Sequence, residues 1–420
     1  MSPGRITGIA VGALAILGLG VYGPAMLLGP LPTTTVRIEQ AATIPAEVPP
    51  IALPATGASA MAVVEDDGAR SVETIAAAGD PAAVPIGGAA KLVTLLVTLD
   101  SLPLPTDGAG PAIPIGPADY SDYVRYSSEG SRTVQVSPGE QWTERDVVRA
   151  VLLASSNNHA DTLVRWAFGS VDAYVEAANA WLAEQGFTAT RVDDATGLSD
   201  DNVGTAEELA RLAGLVVADA ELSEMLEQSD ANPPLGTRSI PDVVARAEDG
   251  AVRAITRSFT DGAGLSFVYT ADIPAPEGSS DGPRRITGAM LLMPDYETLD
   301  PAVAAAVESA AAASTPVTVI EEGAQYGTVR SVWGDEARLV ASVTRTDAAW
   351  GSAFGEASVT VDEFSTASDG REVGRVAVPT ATGELASPLR LEGAIRGPGP
   401  IWRLTNPAPL IEAYAASGDR

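Results

Sequence analysis

The chain has no cysteine at all. That excludes disulfides and thiolate metal sites. It has a single histidine, His159, and a single lysine, Lys91; every other basic residue is arginine. One histidine excludes a multi-histidine metal centre, and it leaves any Ser-His-Asp triad dependent on that one residue. Neither a metal nor an organic cofactor is expected. Positive charge as a whole is scarce: 26 basic against 55 acidic residues give a formal net charge of −29. A nucleic-acid surface needs clustered Lys and Arg, so a polyanion is excluded as a partner. An acidic surface of this kind keeps an exported protein soluble. Aromatics make up only 5% of the residues, so Trp350 and Trp402 stand out. They read as core of a β domain, with stacking on a glycan as the alternative.

What the sequence does have begins at its amino end. Residues 6–28, ITGIAVGALAILGLGVYGPAMLL, carry no charge and follow Arg5. As a helix this run would span roughly 35 Å, enough for a bilayer. It is longer than the apolar region of a cleaved leader. The expectation is a single-pass membrane anchor over 6–28, with a short cytoplasmic stretch, 1–5, and the bulk of the chain extracytoplasmic. Residues 29–54 are rich in Pro, Ala and Thr and read as an extended linker. LPATG within Leu53–Gly57 resembles a sorting signal, but no apolar segment and basic tail follow it, so the match carries no weight.

Residues 55–314 read as one α+β domain. SAMAVVEDDGARSVETIAAAG predicts a hairpin turning at Asp67-Gly68. PIGGAAKLVTLLVTLD predicts a helix from Gly88 or Ala89, and TERDVVRAVLLAS a second with Thr143 as its N-cap. Two more helical stretches follow, and GTAEELARLAGLVVADAEL opens with Thr205 and Glu208 at capping-box spacing. From Ala251 the pattern changes to strands: AVRAITRSF, GLSFVYTAD and ITGAMLLMP. LDPAVAAAVESAAAAS predicts a closing helix. Helices against an antiparallel sheet are expected. Residues 315–420 read as an all-β domain of short strands, a small sandwich or barrel, with PIWRLTNP among them.

Three places carry the chemistry. Lys91 lies three residues after Gly88 at a helix start. Ser155-Ser156-Asn157 forms a junction between helices. Thr256-Arg257-Ser258 lies on a strand and is followed by TDGAG. In order and spacing these resemble S-x-x-K, S-x-N and K-T-G of the serine-type D-alanyl-D-alanine carboxypeptidases, the low-molecular-mass penicillin-binding proteins. The resemblance runs from about Leu53 to the end and includes VLLASSNNHADTLVRWAFGSVDAYVEAANAWL and TGLSDDNVGTAEELARLA. It implies a penicillin-binding, β-lactamase-like transpeptidase domain, an antiparallel sheet with a helical subdomain, plus a C-terminal all-β domain. It also implies a role in peptidoglycan metabolism, with a stem peptide or a cell-wall protein as partner. In that chemistry the first serine is the nucleophile and the lysine one turn on takes its proton. The S-x-N serine relays protons and its asparagine holds the substrate amide. K-T-G presents a cation and a hydroxyl to the peptide carboxylate, and backbone N–H groups form the oxyanion hole.

The sequence departs from that pattern at two of the three places. Gly88 stands where the nucleophile belongs, and glycine has no side chain to acylate. Thr256, Arg257 and Ser258 stand where K-T-G belongs. Arg257 does not replace the lysine, because one step along a strand turns a side chain to the opposite face. Only Ser155 and Asn157 are intact. The expectation is a pseudoenzyme; an active carboxypeptidase with a non-standard nucleophile is the alternative. A β-lactamase on the same fold needs the same missing serine. Lys91 reads as a retained base or ligand contact, or as a remnant supplying a donor to a buried polar pocket. Ser155 could replace the nucleophile with Lys91 as base, but the oxyanion donors are arranged for attack from residue 88. Asn157 reads as a substrate-amide contact or a helix-junction cap. Arg257 and Ser258 read as a new anion contact, or as a surface charge and a tolerated loss of glycine. His159 reads as a cap or surface residue.

Overall fold

The computed structural model describes residues 12, 16–39, 50–64, 71–106, 108–227, 238–245, 252–274, 282–351, 353–381 and 383–418. The chain forms two compact units. One holds Val48–Thr315 with Trp350–Ser352; the other holds Met1–Glu47, Pro316–Ala349 and Ala353–Arg420.

The first unit is built on a five-stranded antiparallel sheet. Its strands are β1 (Ala58–Val64), β2 (Val72–Gly79), β3 (Val252–Thr260), β4 (Gly264–Ile273) and β5 (Arg284–Met293), in the order β2-β1-β5-β4-β3. β1 and β2 pair as the expected hairpin; its Asp67-Gly68 turn lies outside the described residues. Small side chains let helices approach this sheet. Helix Ala206–Ala218 lies against it, and a Cβ at Gly214 would fall 2.4 Å from the Val72 side chain.

The N-caps follow sequence-local chemistry. The Thr143 hydroxyl accepts the Asp146 N–H at 3.1 Å and starts α2 (Glu144–Leu152). Thr205 caps Ala206–Ala218 in the same way, but the capping box is only half made. The Glu208 carboxylate instead accepts Thr190 Oγ1 at 2.6 Å and Ala189 N at 3.1 Å, tying the helix to a neighbouring loop. A short 3-10 turn, Gly87–Ala89, leads into α1 (Ala90–Ser101), in which Leu92, Val93, Leu95, Val97 and Leu99 are all buried. A helix buried along most of its length, with Lys91, Thr94 and Thr98 the polar exceptions, belongs in a core. It fixes residues 88 and 91 on a rigid element, since truncating a buried leucine there would cost about 2–5 kcal/mol.

The second unit holds a six-stranded antiparallel sheet. Its C-terminal strands are β6 (Gln325–Arg330), β7 (Glu336–Ala341), β8 (Ser358–Val361), β9 (Glu372–Thr380) and β10 (Gly383–Glu392), ordered β6-β7-β10-β9-β8. The sixth strand comes from the opposite end of the chain: Thr35–Ile38 pairs antiparallel with β6, Val36 opposite Val329. The stretch expected to be a linker therefore supplies an edge strand. The β-branched run Thr34-Thr35-Val36 with Ile38 satisfies strand propensity despite its Pro-rich surroundings.

Two further expectations need correction. PIWRLTNP is not a strand: Pro400–Thr405 is a helix with Pro400 at its first position, where the fixed φ and missing N–H cost nothing, and Pro407–Gly418 forms another. Trp350 is fully buried but belongs to the first unit, with the Arg284 guanidinium 5.5 Å from its ring centroid. Trp402 lies edge-on to Trp333 at 5.8 Å. Most of the predicted anchor lies outside the described residues; Leu17–Tyr22 and Gly23–Leu28 are helical, and among the described residues no helix is long and apolar enough to cross a membrane.

Candidate active site

The structure brings residues 88, 91, 196 and 258 together in the first unit. Gly88 lies in the 3-10 turn before α1, facing β3. Its N–H donates to Ser258 Oγ at 2.9 Å. A Cβ built on Gly88 would stand 2.9 Å from Ser258 Cβ, 3.0 Å from Ser258 Oγ and 3.8 Å from Lys91 Nζ. The space for a side chain at residue 88 is thus filled from across the cleft. The amide that faces it is capped by a hydroxyl of the protein itself. Glycine at 88 and serine at 258 are two halves of one packing arrangement.

The strand delivers Ser258 there through a bulge. The register of β3 on β4 shifts between Ala254 and Thr256, after which Thr256, Arg257 and Ser258 oppose Val268, Phe267 and Ser266 in step. Thr256 and Ser258 share one face, and Arg257 turns to the other. The Arg257 guanidinium accordingly reaches Val243 O at 2.7 Å and lies 5.9 Å from the Tyr296 ring centroid. Thr256, at the position where the resemblance places a lysine, is 6% exposed and its hydroxyl has no partner among the described residues.

Lys91 follows Gly88 by one turn and is 4% exposed. Its Nζ donates to Thr196 O at 2.5 Å, not to Ser155. A loop fixed by Asp194 presents that carbonyl. The Asp194 carboxylate accepts the N–H groups of Thr196 (2.7 Å), Gly197 (2.6 Å) and Ser199 (2.8 Å). Gly197, at φ +81°, backs onto Gly87, whose carbonyl oxygen lies 1.9 Å from where a Cβ would be. The Lys91 pKa is lowered to about 8, chiefly by burial and also by Arg132, against the opposing pull of Asp194 and Asp161. Lys91 is the only lysine, so protein carrying 13C-labelled lysine gives a single side-chain titration. Its midpoint is expected near 8. A midpoint at the ordinary lysine value, above 10, would show that the amine is solvated and not held as described.

Ser155 and Asn157 sit at the junction of α2 with α3 (Asn157–Phe168). Ser155 has φ +49°, a conformation disfavoured for a residue with a Cβ. Its hydroxyl and the Asn157 side-chain amide make no hydrogen bond among the described residues, although both residues are buried. The Asn157 N–H donates to Arg132 O at 2.9 Å. The structure therefore leaves the one intact motif unfilled.

His159 is neither a cap nor on the surface. It is fully buried, its ring centroid 4.3 Å from that of Trp142, with Nδ1 2.9 Å from the hydroxyl of Ser156. Ser156 Oγ donates to Asn158 Oδ1 at 2.8 Å, so its one proton is spent and His159 Nδ1–H is the donor. Nε2 is buried and without a partner among the described residues. Burial drives the pKa down to about 3. The residue is a neutral core imidazole.

Sequence reasoning missed three contributors: Ser258 as the group filling the place beside Gly88, Thr196 as the lysine's acceptor, and Arg132. Thr196 opens a stretch that was read only as whole-segment resemblance. Arg132 sits outside any motif. No signal short of strand register could have paired Ser258 with Gly88.

Comparison with known proteins gives a consistent result. The family model described as D-alanyl-D-alanine carboxypeptidase matches residues 53–274. A D-alanyl-D-alanine endopeptidase of Pseudomonas aeruginosa is 36% identical over 129 residues; that alignment takes in 31% of this chain and 38% of the relative's length. Among solved structures, penicillin-binding protein 6B of Escherichia coli superposes with a TM-score of 0.56 at 15% identity, covering 84% of this chain and 99% of that one. A D-alanyl-D-alanine carboxypeptidase of Francisella tularensis gives 0.54 at 14% identity, covering 87% and 97%. The two structural matches speak for the fold alone.

Proposed function

Because the chain belongs to the D-alanyl-D-alanine carboxypeptidase family, we propose that it acts in peptidoglycan metabolism as a membrane-anchored, extracytoplasmic pseudoenzyme. It binds a peptidoglycan stem peptide without acylation. The observation that carries this reading is the Ser258 side chain in the space of the side chain that Gly88 lacks. A serine nucleophile has neither a residue nor room there. Lys91, the residue that would serve as base, donates to the Thr196 carbonyl and has no hydroxyl on residue 88 to deprotonate. Ser155 and Asn157 keep unpaired polar groups beside the site, which suits ligand binding and needs no chemistry.

Full-length protein in detergent, mixed with a pentapeptide ending in D-Ala-D-Ala, is expected to bind it saturably and to release no D-alanine. Fluorescent penicillin is expected to leave no covalent adduct. Turnover comparable with an active carboxypeptidase would overturn the proposal. Absence of peptide binding, with capture of a cell-wall enzyme instead, would move the partner from peptide to protein.

One observation favours a second reading, an active enzyme by a non-standard nucleophile. Ser258 Oγ lies against the Gly88 amide, close to where a hydroxyl on residue 88 would sit. A penicillin adduct mapped to Ser258 would establish that reading. The anchor follows from the uncharged run over 6–28; the protein should fractionate with membranes, and deletion of residues 1–28 should release it.

A further inference from the structure

On its solvent-facing side the sheet of the second unit is laced by ion pairs between directly opposed residues. Arg330 on β6 pairs with Glu336 on β7 at 2.5 Å, and Arg338 on β7 pairs with Glu392 on β10. Opposite charges face to face favour the register of the strands. The next pair outward breaks the pattern. Arg37, on the edge strand Thr35–Ile38, stands opposite Thr328. The acid two residues on, Glu39, is engaged elsewhere: it accepts Gln325 Nε2 at 3.0 Å and Thr328 Oγ1 at 3.3 Å. Arg37 is exposed, and among the described residues it forms no ion pair and no side-chain hydrogen bond.

This unmatched arginine lies in a groove of about 470 Å³, lined also by Glu39, Thr328, Arg330, Val332 and Glu336. The turn that carries Val332 is fixed from three sides. Ser331 Oγ accepts the Asp335 N–H at 2.9 Å, Asp335 Oδ2 accepts the Arg396 N–H at 2.8 Å, and Trp333 Nε1 donates to Arg396 O at 2.7 Å. Val332 itself is 50% exposed. A groove with walls already in place loses little freedom when it is filled.

The charges in the groove select the ligand class. Two guanidiniums face two carboxylates, so the lining is neutral as a whole. An anion would meet Glu39 and Glu336, and the chain's net charge of −29 would repel it from a distance. A cation would meet Arg37 and Arg330. A neutral ligand whose groups both donate and accept suits the lining best. Arg37 only donates, the carboxylates only accept, and the Thr328 hydroxyl does both. Each carboxylate oxygen has more than one lone pair, so Glu39 keeps accepting capacity beside its two contacts. Val332 adds an apolar contact.

We propose that this groove is a binding site for a neutral saccharide, with Arg37 donating to sugar oxygens and Glu39 accepting from sugar hydroxyls. It lies wholly within the second unit and shares no residue with the Gly88–Ser258 site. Placing the saccharide in the glycan strand of peptidoglycan rests on the reading above; the saccharide site itself does not.

The test uses full-length protein in a detergent without a sugar head group, and calorimetry with three probes: tri-N-acetylchitotriose, inorganic phosphate and the D-Ala-D-Ala pentapeptide. The trisaccharide is expected to bind saturably, and Arg37→Gln should weaken it about tenfold. Glu39→Gln should weaken it as well, and Arg37→Lys should retain part of the affinity. Arg338→Gln, on the same face but outside the groove, should leave it unchanged and so guards against a general effect on the sheet. Trisaccharide binding with no pentapeptide binding would keep the groove and sink the stem-peptide reading. Pentapeptide binding with no trisaccharide binding would sink the groove and keep that reading. Phosphate binding lost in Arg37→Gln, without trisaccharide binding, would overturn the saccharide in favour of an anion. Trisaccharide binding that Arg37→Gln leaves intact would overturn the placement in this groove.

Discussion

Gly88→Ser alone will destabilise the first unit and leave it unreactive toward fluorescent penicillin. The added Cβ meets Ser258 Cβ at 2.9 Å and its hydroxyl at 3.0 Å. Both neighbours belong to rigid elements, the turn before α1 and the edge strand β3, so the clash is not relieved by rotating a long side chain. Overpacking of this kind costs about 1–3 kcal/mol. Ser258→Gly alone leaves the Gly88 amide without its acceptor, again at about 1–3 kcal/mol. Combining the two removes the clash, and the double variant should be more stable than the sum of the single effects by about 1–2 kcal/mol. A penicillin adduct on residue 88 is expected only when Thr256→Lys and Arg257→Thr are added. Chemical denaturation of the four members of the cycle decides the packing claim; strictly additive losses would mean that residues 88 and 258 do not share one space. Labelling of the single Gly88→Ser variant would refute the steric argument directly.

His159 is expected to give the first unit a strong acid dependence. The unfolded chain binds a proton at this imidazole below about pH 6.5, whereas the folded state resists until about 3. Between those values the unfolded state holds more protons, so stability rises with pH and is lost as pH falls through the window. At pH 4 the loss relative to pH 7 amounts to about 3 kcal/mol from this one group. Asp161 acts in the opposite sense: burial pushes its carboxyl up to about 6, so the folded state takes up a proton there first. The measurement must therefore be a comparison. The stability difference between the wild type and His159→Gln should shrink by about 3 kcal/mol from pH 7 to pH 4, in denaturant titrations at each pH. A difference independent of pH would show that the imidazole is not held neutral.

Much of the fold was legible because local chemistry decided it. Thr143 and Thr205 cap the helices they were assigned to, and the strands from Val252 to Met293 follow from β-branched and aromatic runs. The candidate site was legible as a set of positions: Gly88 and Lys91 share a helix start, and Thr256–Ser258 lie on the strand facing it. What the residues do to one another was not. That Ser258 fills the place beside Gly88 depends on a bulge at residue 255 and on register between elements far apart in sequence. His159 follows a polar Asn-Asn pair, which reads as surface; its burial depends on Trp142, and no periodicity links the two. PIWRLTNP is ambiguous because eight residues are too few to separate a helical from a strand pattern; its one helical signal is Pro400 at a first position.

The strand Thr35–Ile38 has a consequence for how the molecule is made. Its partner β6 is synthesised only after Val48–Thr315, the main part of the first unit. Until then those four residues have no ladder, and the second unit lacks an edge. Val48–Thr315 is in effect an insertion between the two parts of its host, completed by Trp350–Ser352 from further along the chain. A fragment beginning at residue 315 would leave β6 uncovered and able to pair with another copy. Supplying the missing residues as a separate peptide would be the natural way to close it.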